Sequence, residues 1–161
     1  MKRTTIMLCT AAVVAVLAVP AKANDAMKSV VEPFYTKILT RTSGADVAAT
    51  AKAILADNWQ SIGDYSGKAK SRDAFAKQIA GFGQLIPDMT WKIEEMIVSG
   101  NRVIVRGRAS GTPKGPMFGV DGKGKSWEIM SIDIHTVENG KVVRSYHVED
   151  WAGAIRQLKG K

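Results

Sequence analysis

The character of this chain changes once, at Pro87-Asp88, and that change limits the folds open to it. Before it, apolar residues recur at helical spacing. From Met89 onward they alternate with a period of two. Helices come first and an antiparallel meander follows, with no internal repeat and no strand–helix–strand unit. A chain of this order makes an α+β domain, with the helices packed on one side of a curved sheet.

Asn24 or Asp25 can cap a first helix, in which Met27, Val30, Val31, Phe34, Tyr35 and Ile38 form one apolar stripe. Thr42-Ser43-Gly44 interrupts it. A second helix is expected from Ala45, with Val47, Ala51, Ile54 and Leu55 inside, ending near Asp57-Asn58. Trp59, Ser61 and Ile62 then alternate as a short strand, and residues 63–70 form a polar loop around Tyr65. Ser71 caps a third helix, with Asp73 in its first turn and Phe75, Ile79 and Phe82 buried. Strands are expected over 91–98, 102–110, 127–137 and 141–149. Between the second and third, residues 111–125 hold five glycines and two prolines and read as a loop or bulged edge. Asp150 caps a last short helix carrying Ile155 and Leu158.

The first 23 residues read as a secretory signal peptide: Met1-Lys2-Arg3, an uncharged run rich in Ala, Val and Leu, then Ala21-Lys22-Ala23 as the cut site. The run is shorter than the roughly 20 apolar residues of a membrane span. Processing removes three cations, taking the formal charge from +8 to +5, and also removes Cys9, the single cysteine. The expected product is one domain over residues 24–161, without a membrane anchor, in the periplasm or secreted. It has neither a disulfide framework nor a thiolate metal cluster. Its basic residues are spread rather than blocked, and no nucleic-acid-binding strand motif is present, so no nucleic-acid partner is expected. Gly122-Lys123-Gly124-Lys125 lacks the spacing of a phosphate loop, and no closely spaced metal-ligand motif appears. Neither cofactor nor metal is expected.

The final hairpin carries the chemistry. A three-residue turn at Glu138-Asn139-Gly140 would place Ser131, Asp133, His135, Ser145 and His147 on one face. Asp133 and His147 would then be diagonal neighbours roughly 6 Å apart, an acid/base couple able to titrate near neutrality. The opposite face would carry Met130, Ile132, Ile134, Val142, Tyr146 and Val148. One face should pack on helices and the other on a second subunit, giving a homodimer. His135 lies nearer the turn. Trp59, Tyr65, Trp91, Phe118, Trp127 and Trp151 supply more aromatic mass than a small core needs, enough to line an apolar cavity. Asp150 either borders that pocket or only caps its helix. Arg106 and Arg108 share a strand face, where they could neutralise an anion or line a solvated edge.

Ala56-Asp57-Asn58-Trp59, Pro87-Asp88-Met89 and Asn101-Arg102-Val103-Ile104-Val105-Arg106 form a familiar set. It continues with the glycine-rich segment from Phe118-Gly119-Val120 to Gly124-Lys125, and with Ile132-Asp133-Ile134-His135. Glu138-Asn139-Gly140-Lys141-Val142-Val143 and the tail from Asp150-Trp151 to Gln157-Leu158 complete it. With these motifs the chain resembles the SnoaL-like polyketide cyclases, also labelled predicted ester cyclases, of the NTF2-like superfamily. The resemblance implies a cone-shaped α+β barrel, a curved antiparallel sheet wrapped by N-terminal helices around a deep apolar cavity, usually dimeric. Cyclases of this family close a ring by aldol condensation without metal or cofactor, using a carboxylate on the last strand as acid/base. That position is matched here by His147, and its histidine partner on the preceding strand by Asp133, so the pair is exchanged. The expected function is binding of a small hydrophobic or carbonyl-containing molecule. His147, oriented by Asp133, would move a proton, and His135 or Tyr65 would stabilise enolate charge. The alternatives are a non-catalytic periplasmic carrier or sensor, and an interaction module using the sheet face.

Overall fold

A computed structural model describes residues 21–160. The expected signal peptide lies outside the described residues except for 21–23, which open the first helix. Helix α1 (Ala21–Pro33) runs into a wider, π-helical turn, Phe34–Leu39. Pro33 has no N–H to give the carbonyl of Ser29, so the helical ladder loosens where the proline sits. The wider turn buries Phe34 and Tyr35 side by side with Ile38 and Leu39. After a short 3₁₀ turn, Arg41–Ser43, Asp46 caps α2 (Val47–Ile54) by accepting from the Ala49 N–H at 3.0 Å. Strand β1 (Leu55–Ile62) follows at once, then β2 (Lys70–Ser71) and α3 (Arg72–Leu85), capped by Ser71 as its sequence predicts. The meander is β3 (Thr90–Ser99), β4 (Arg102–Gly111), β5 (Trp127–Glu138) and β6 (Lys141–Glu149). Asp150 caps α4 (Trp151–Lys159).

Several expectations are overturned. The second helix stops at Ile54, not near Asp57-Asn58, because Leu55 already pairs with Val142 of β6. Sheet pairing there overrides the helical pattern and leaves a helix of eight residues, too short to hold on its own. Nor does the sheet close into the expected cone-shaped barrel. Its six strands run in the order β2-β1-β6-β5-β4-β3, leaving β2 and β3 as unpaired edges. It is also mixed rather than antiparallel, because β1 lies parallel to β6. A two-residue β2 is too short to bring the far edge round. The architecture is an α+β NTF2-like fold built on an open sheet.

In β4 and β5 the odd-numbered residues face the helices, and Val103, Val105, Ala109, Trp127, Ile129 and Val137 join the core. Ser131, Asp133 and His135 lie on that same buried face. The outward face carries Met130, Ile132, Tyr146 and Val148, which are between 36 and 69% exposed. The polar side of the hairpin is therefore inside and its apolar side outside.

The register that does this differs from the expected one. The turn has two residues, Asn139 and Gly140, both at positive φ (50° and 72°), the backbone of a type I′ hairpin. On its own such a turn would move Ser145 and His147 to the outer face. Val143 is bulged out between the pairs Val137↔Val142 and Thr136↔Arg144, and the extra residue reverses the parity. Val142 and Ser145 both point inward as a result, and Val142 leaves the outer face assigned to it from sequence. Asp133 then pairs directly with His147 rather than diagonally.

Deleting Val143 should send Ser145, His147 and Glu149 outward and strip the buried polar groups of their partners. Each orphaned group costs about 1–3 kcal/mol. Urea unfolding should show the transition midpoint falling sharply or the cooperative transition disappearing.

Candidate active site

The helices and the inner sheet face enclose a cavity of about 180 Å³. Its apolar wall includes Phe34, Phe75, Ile79, Phe82, Trp91, Phe118 and Trp151, from five different parts of the chain. Its polar side includes Ser61, Lys70, Asp133, Ser145, His147 and Glu149. An apolar cavity of roughly 150 Å³ accommodates benzene, so this one is sized for a single ring or the reactive end of a longer molecule.

His147 is held at both ring nitrogens. Its Nδ1 lies 2.8 Å from Glu149 Oε1, and its Nε2 lies 3.0 Å from the Ser61 hydroxyl on the neighbouring parallel strand. Trp151 Nε1 donates to the second Glu149 oxygen at 3.2 Å and fixes that carboxylate. Gly63 makes room for the imidazole, since a Cβ there would come within 2.9 Å of His147 Cε1. The sequence reading assigned the orienting role to Asp133. The partner that actually bonds the ring is Glu149, two residues further along β6 and on the same face.

Asp133 sits at the end of a buried hydrogen-bond chain. Trp91 Nε1 donates to Ser131 Oγ at 3.1 Å, and Ser131 donates to Asp133 Oδ2 at 3.2 Å. Gly107 permits the first of these bonds, because a Cβ there would fall 2.7 Å from both bonded atoms. From the other side, Trp59 Nε1 donates to Ser145 Oγ at 3.0 Å, and Ser145 Oγ lies 2.8 Å from His135 Nδ1. His135 Nε2 is 2.7 Å from the Tyr35 hydroxyl, which is within hydrogen-bonding reach of Asp133. With Asp133 ionised, one assignment of protons satisfies every member. Ser145 donates to Nδ1, Nε2–H donates to Tyr35, and Tyr35 donates to the carboxylate. Both branches deliver donors to Asp133.

Burial, reinforced by the charge of Glu149, pushes the Asp133 carboxyl up to about 7, against the hydrogen bond from Tyr35, the charge of His147 and the bond from Ser131. The hydrogen bond to Glu149 raises His147 above its usual value, opposed by burial and by Lys70. Complete burial drops His135 to about 3, so it stays neutral, and burial likewise holds the Tyr35 hydroxyl protonated. The site thus combines a carboxyl that titrates near neutrality with an imidazole biased toward its charged form.

The structure brings Asp133, His147, Trp91 and Phe118 to the cavity. His135 and Trp59 lie one layer behind it, acting on the cavity through hydrogen bonds. Trp127 is buried against Trp151, their ring centroids 5.5 Å apart. Tyr65 is fully exposed in its loop. Asp150 caps α4 through the Gly153 N–H at 2.8 Å and borders a separate surface recess with Arg106 and Arg108. Those arginines pair with Glu95, and with Glu94 and Glu128, away from the cavity. Sequence reasoning missed Glu149, Ser61 and Tyr35. The i, i+2 spacing of His147 and Glu149 could have revealed the first. The other two come from distant segments. Among the described residues no group of three or more His, Cys, Asp or Glu is placed to hold a metal.

Glu149→Gln removes the group that raises both titrating neighbours. NMR titration of the His147 Cε1–H and the Asp133 carboxyl carbon should show both pKa values moving down together. A shift in His147 alone would mean that Glu149 does not act on Asp133.

The sequence profile of the SnoaL-like polyketide cyclases matches residues 30–158. A comparison with curated proteins finds no match. Among solved structures, a SnoaL-like protein from Jannaschia sp. CCS1 superposes with a TM-score of 0.72 at 17% identity, covering 85% of this chain and 94% of its own. IdmH from Streptomyces antibioticus gives 0.70 at 19% identity, over 83% of this chain and 98% of its own. A SnoaL-like polyketide cyclase from Agrobacterium tumefaciens C58 gives 0.66 at 16% identity, over 82% and 97%. These likenesses carry the fold, and the profile, matching nearly all the described residues with the Asp133–His147 pair inside its span, carries the kinship: the chain belongs to the SnoaL-like polyketide cyclase family.

Proposed function

We propose that this protein binds a small apolar, carbonyl-containing molecule in the cavity and moves a proton on it. The single observation that carries the reading is the opposition of Asp133 and His147 across β5 and β6, on the polar side of an otherwise aromatic cavity. Asp133, with a pKa of about 7, is matched to removing a proton from carbon next to a carbonyl near neutral pH. His147, biased toward imidazolium by Glu149, is placed to donate to the enolate oxygen that develops. Proton removal of this kind begins both an isomerisation and an aldol ring closure. A leader of the kind read in residues 1–23 supports export to the periplasm or beyond, where a substrate would be met outside the cytoplasm.

Benzoylacetone, an aryl diketone with an acidic C–H, is a suitable probe. In deuterated buffer the protein should accelerate exchange of that proton, followed by NMR. Asp133→Asn should slow it by about 100-fold or more while probe binding, read from the fluorescence of Trp91 and Trp151, persists. Binding with no acceleration would make the protein a carrier instead.

The same reading includes a homodimer through the outer sheet face. Ile97, Met130, Ile132, Tyr146 and Val148 lie exposed across β3, β5 and β6, an apolar strip that a second copy would cover. Analytical ultracentrifugation should find a dimer, and the double substitution Ile132→Asp with Val148→Asp should yield a folded monomer.

A further inference from the structure

Proton transfer by Asp133 leaves one feature of the cavity unused, the serine on the far side of His147. Ser61 Oγ, His147 Nε2 and Nδ1, and Glu149 Oε1 form a continuous line with spacings of 3.0 and 2.8 Å. All three side chains border the cavity. Ser61 comes from β1 and the other two from β6, so only the parallel β1–β6 pairing, with Ser61 opposite Ser145, puts the hydroxyl against the imidazole.

The proton positions follow from the partners. Glu149 can only accept, and its other oxygen is occupied by Trp151 Nε1. In the neutral imidazole the proton therefore sits on Nδ1, facing Glu149, and Nε2 carries a free lone pair. Ser61 must then be the donor. This is the arrangement that makes a serine hydroxyl nucleophilic: a base within hydrogen-bonding reach, itself oriented by a third group. A cation is also present. Lys70 pairs across β2 with Ser61, borders the same cavity, and its charge is felt at His147. Among the described residues it is the one lysine or arginine that borders the cavity, and the β1–β2 pairing sets it beside Ser61, on whose acyl carbonyl an oxyanion would develop.

We infer that Ser61, His147 and Glu149 form a nucleophilic relay that hydrolyses a small apolar ester held in the cavity. The inference rests on the cavity being the ligand site and uses the neutral form of His147, which proton donation to an enolate does not use. In the first half, Ser61 Oγ bonds to the ester carbonyl carbon and its proton passes to His147 Nε2. The carbon–oxygen bond to the alcohol then breaks, the alcohol leaves with that proton, and the acyl group stays on Ser61. In the second half a water gives a proton to His147, its oxygen attacks the acyl carbon, and the carboxylic acid departs as Ser61 regains its proton. Water is the sole co-reactant. Glu149 keeps its hydrogen bond to His147 Nδ1 throughout, and Lys70 borders the cavity beside Ser61.

Phenylmethanesulfonyl fluoride tests this directly, because its single ring suits a cavity of about 180 Å³. Attack by Ser61 forms an Oγ–sulfur bond, breaks the sulfur–fluorine bond and releases fluoride, the serine proton going to His147. Intact-mass and peptide mapping of the full chain should find one adduct, on Ser61, with parallel loss of para-nitrophenyl acetate hydrolysis. Ser61→Ala should abolish both, Glu149→Gln should slow labelling by about 100-fold or more, and Ser66→Ala, in the exposed loop, should change neither. An unlabelled Ser61, or labelling indifferent to Glu149→Gln, overturns the relay. Trp91 and Trp151 fluorescence with benzoylacetone, measured on the same sample, separates the two readings. A response without labelling removes the relay alone, and no response removes the cavity as a ligand site as well.

Discussion

Ser131, Asp133, His135, Ser145 and His147 are turned beneath the helices by one hairpin, and the rest of the site depends on how that hairpin is paired. Two local devices set the pairing: left-handed residues at Asn139 and Gly140, and one extra residue at Val143. The turn alone would give the wrong parity and the bulge alone would have nothing to correct. Together they place a direct Asp133–His147 pair on the buried face and leave an apolar strip in water. Burying polar groups is costly unless each has a partner, and here Trp59, Trp91 and Tyr35 supply the missing donors.

One of these partnered groups is still held against ionisation by its surroundings. Asp133 has its donors but also has a second carboxylate, Glu149, acting on it through a poorly solvated cavity. Its folded pKa lies well above the 3.8 of the free side chain, so the native state binds the extra proton between 3.8 and about 7. Across that window rising pH ionises the group against its environment and lowers stability. His147 has the same sense with pH, although there it is the charged form that the fold favours: its raised pKa stabilises the protein while the imidazole is protonated, and that contribution is lost as pH rises through the folded value. A fold that buries Asp133 beside a second carboxylate gives up stability at neutral pH to keep a carboxyl that titrates there.

The aromatic wall has its own logic. The loosened turn after Pro33 seats Phe34 on the cavity and Tyr35 over His135, whereas a regular helix would separate adjacent residues by about 100°. Phe34 stacks on Phe75 at 5.3 Å, and Trp151 packs against Trp91, Phe118 and Trp127 at 5.5 to 6.5 Å. Rings drawn from the turn after α1, from α3, β3, the 111–125 loop and α4 converge on one volume. Each is unremarkable where it stands in the sequence.

Much was legible without coordinates. The change of period at Pro87-Asp88, the caps at Ser71 and Asp150, and the strand segments after Met89 were all visible. So were Asp133 and His147 as the candidate pair, although the two-residue turn alone would have put them on opposite faces. These are local properties, set by side-chain spacing and by hydrogen bonds a few residues long. What required the tertiary structure were the distances between segments. Leu55 leaves its helix to pair with Val142, Ser61 meets His147 across a parallel pair 86 residues apart in the chain, and Tyr35 reaches His135 from a helix 100 residues away. The open edge of the sheet belongs with these, because closure depends on whether β2 can reach β3. A sequence encodes its own periodicities directly. Which distant segment satisfies a buried polar group is decided only when the whole chain packs.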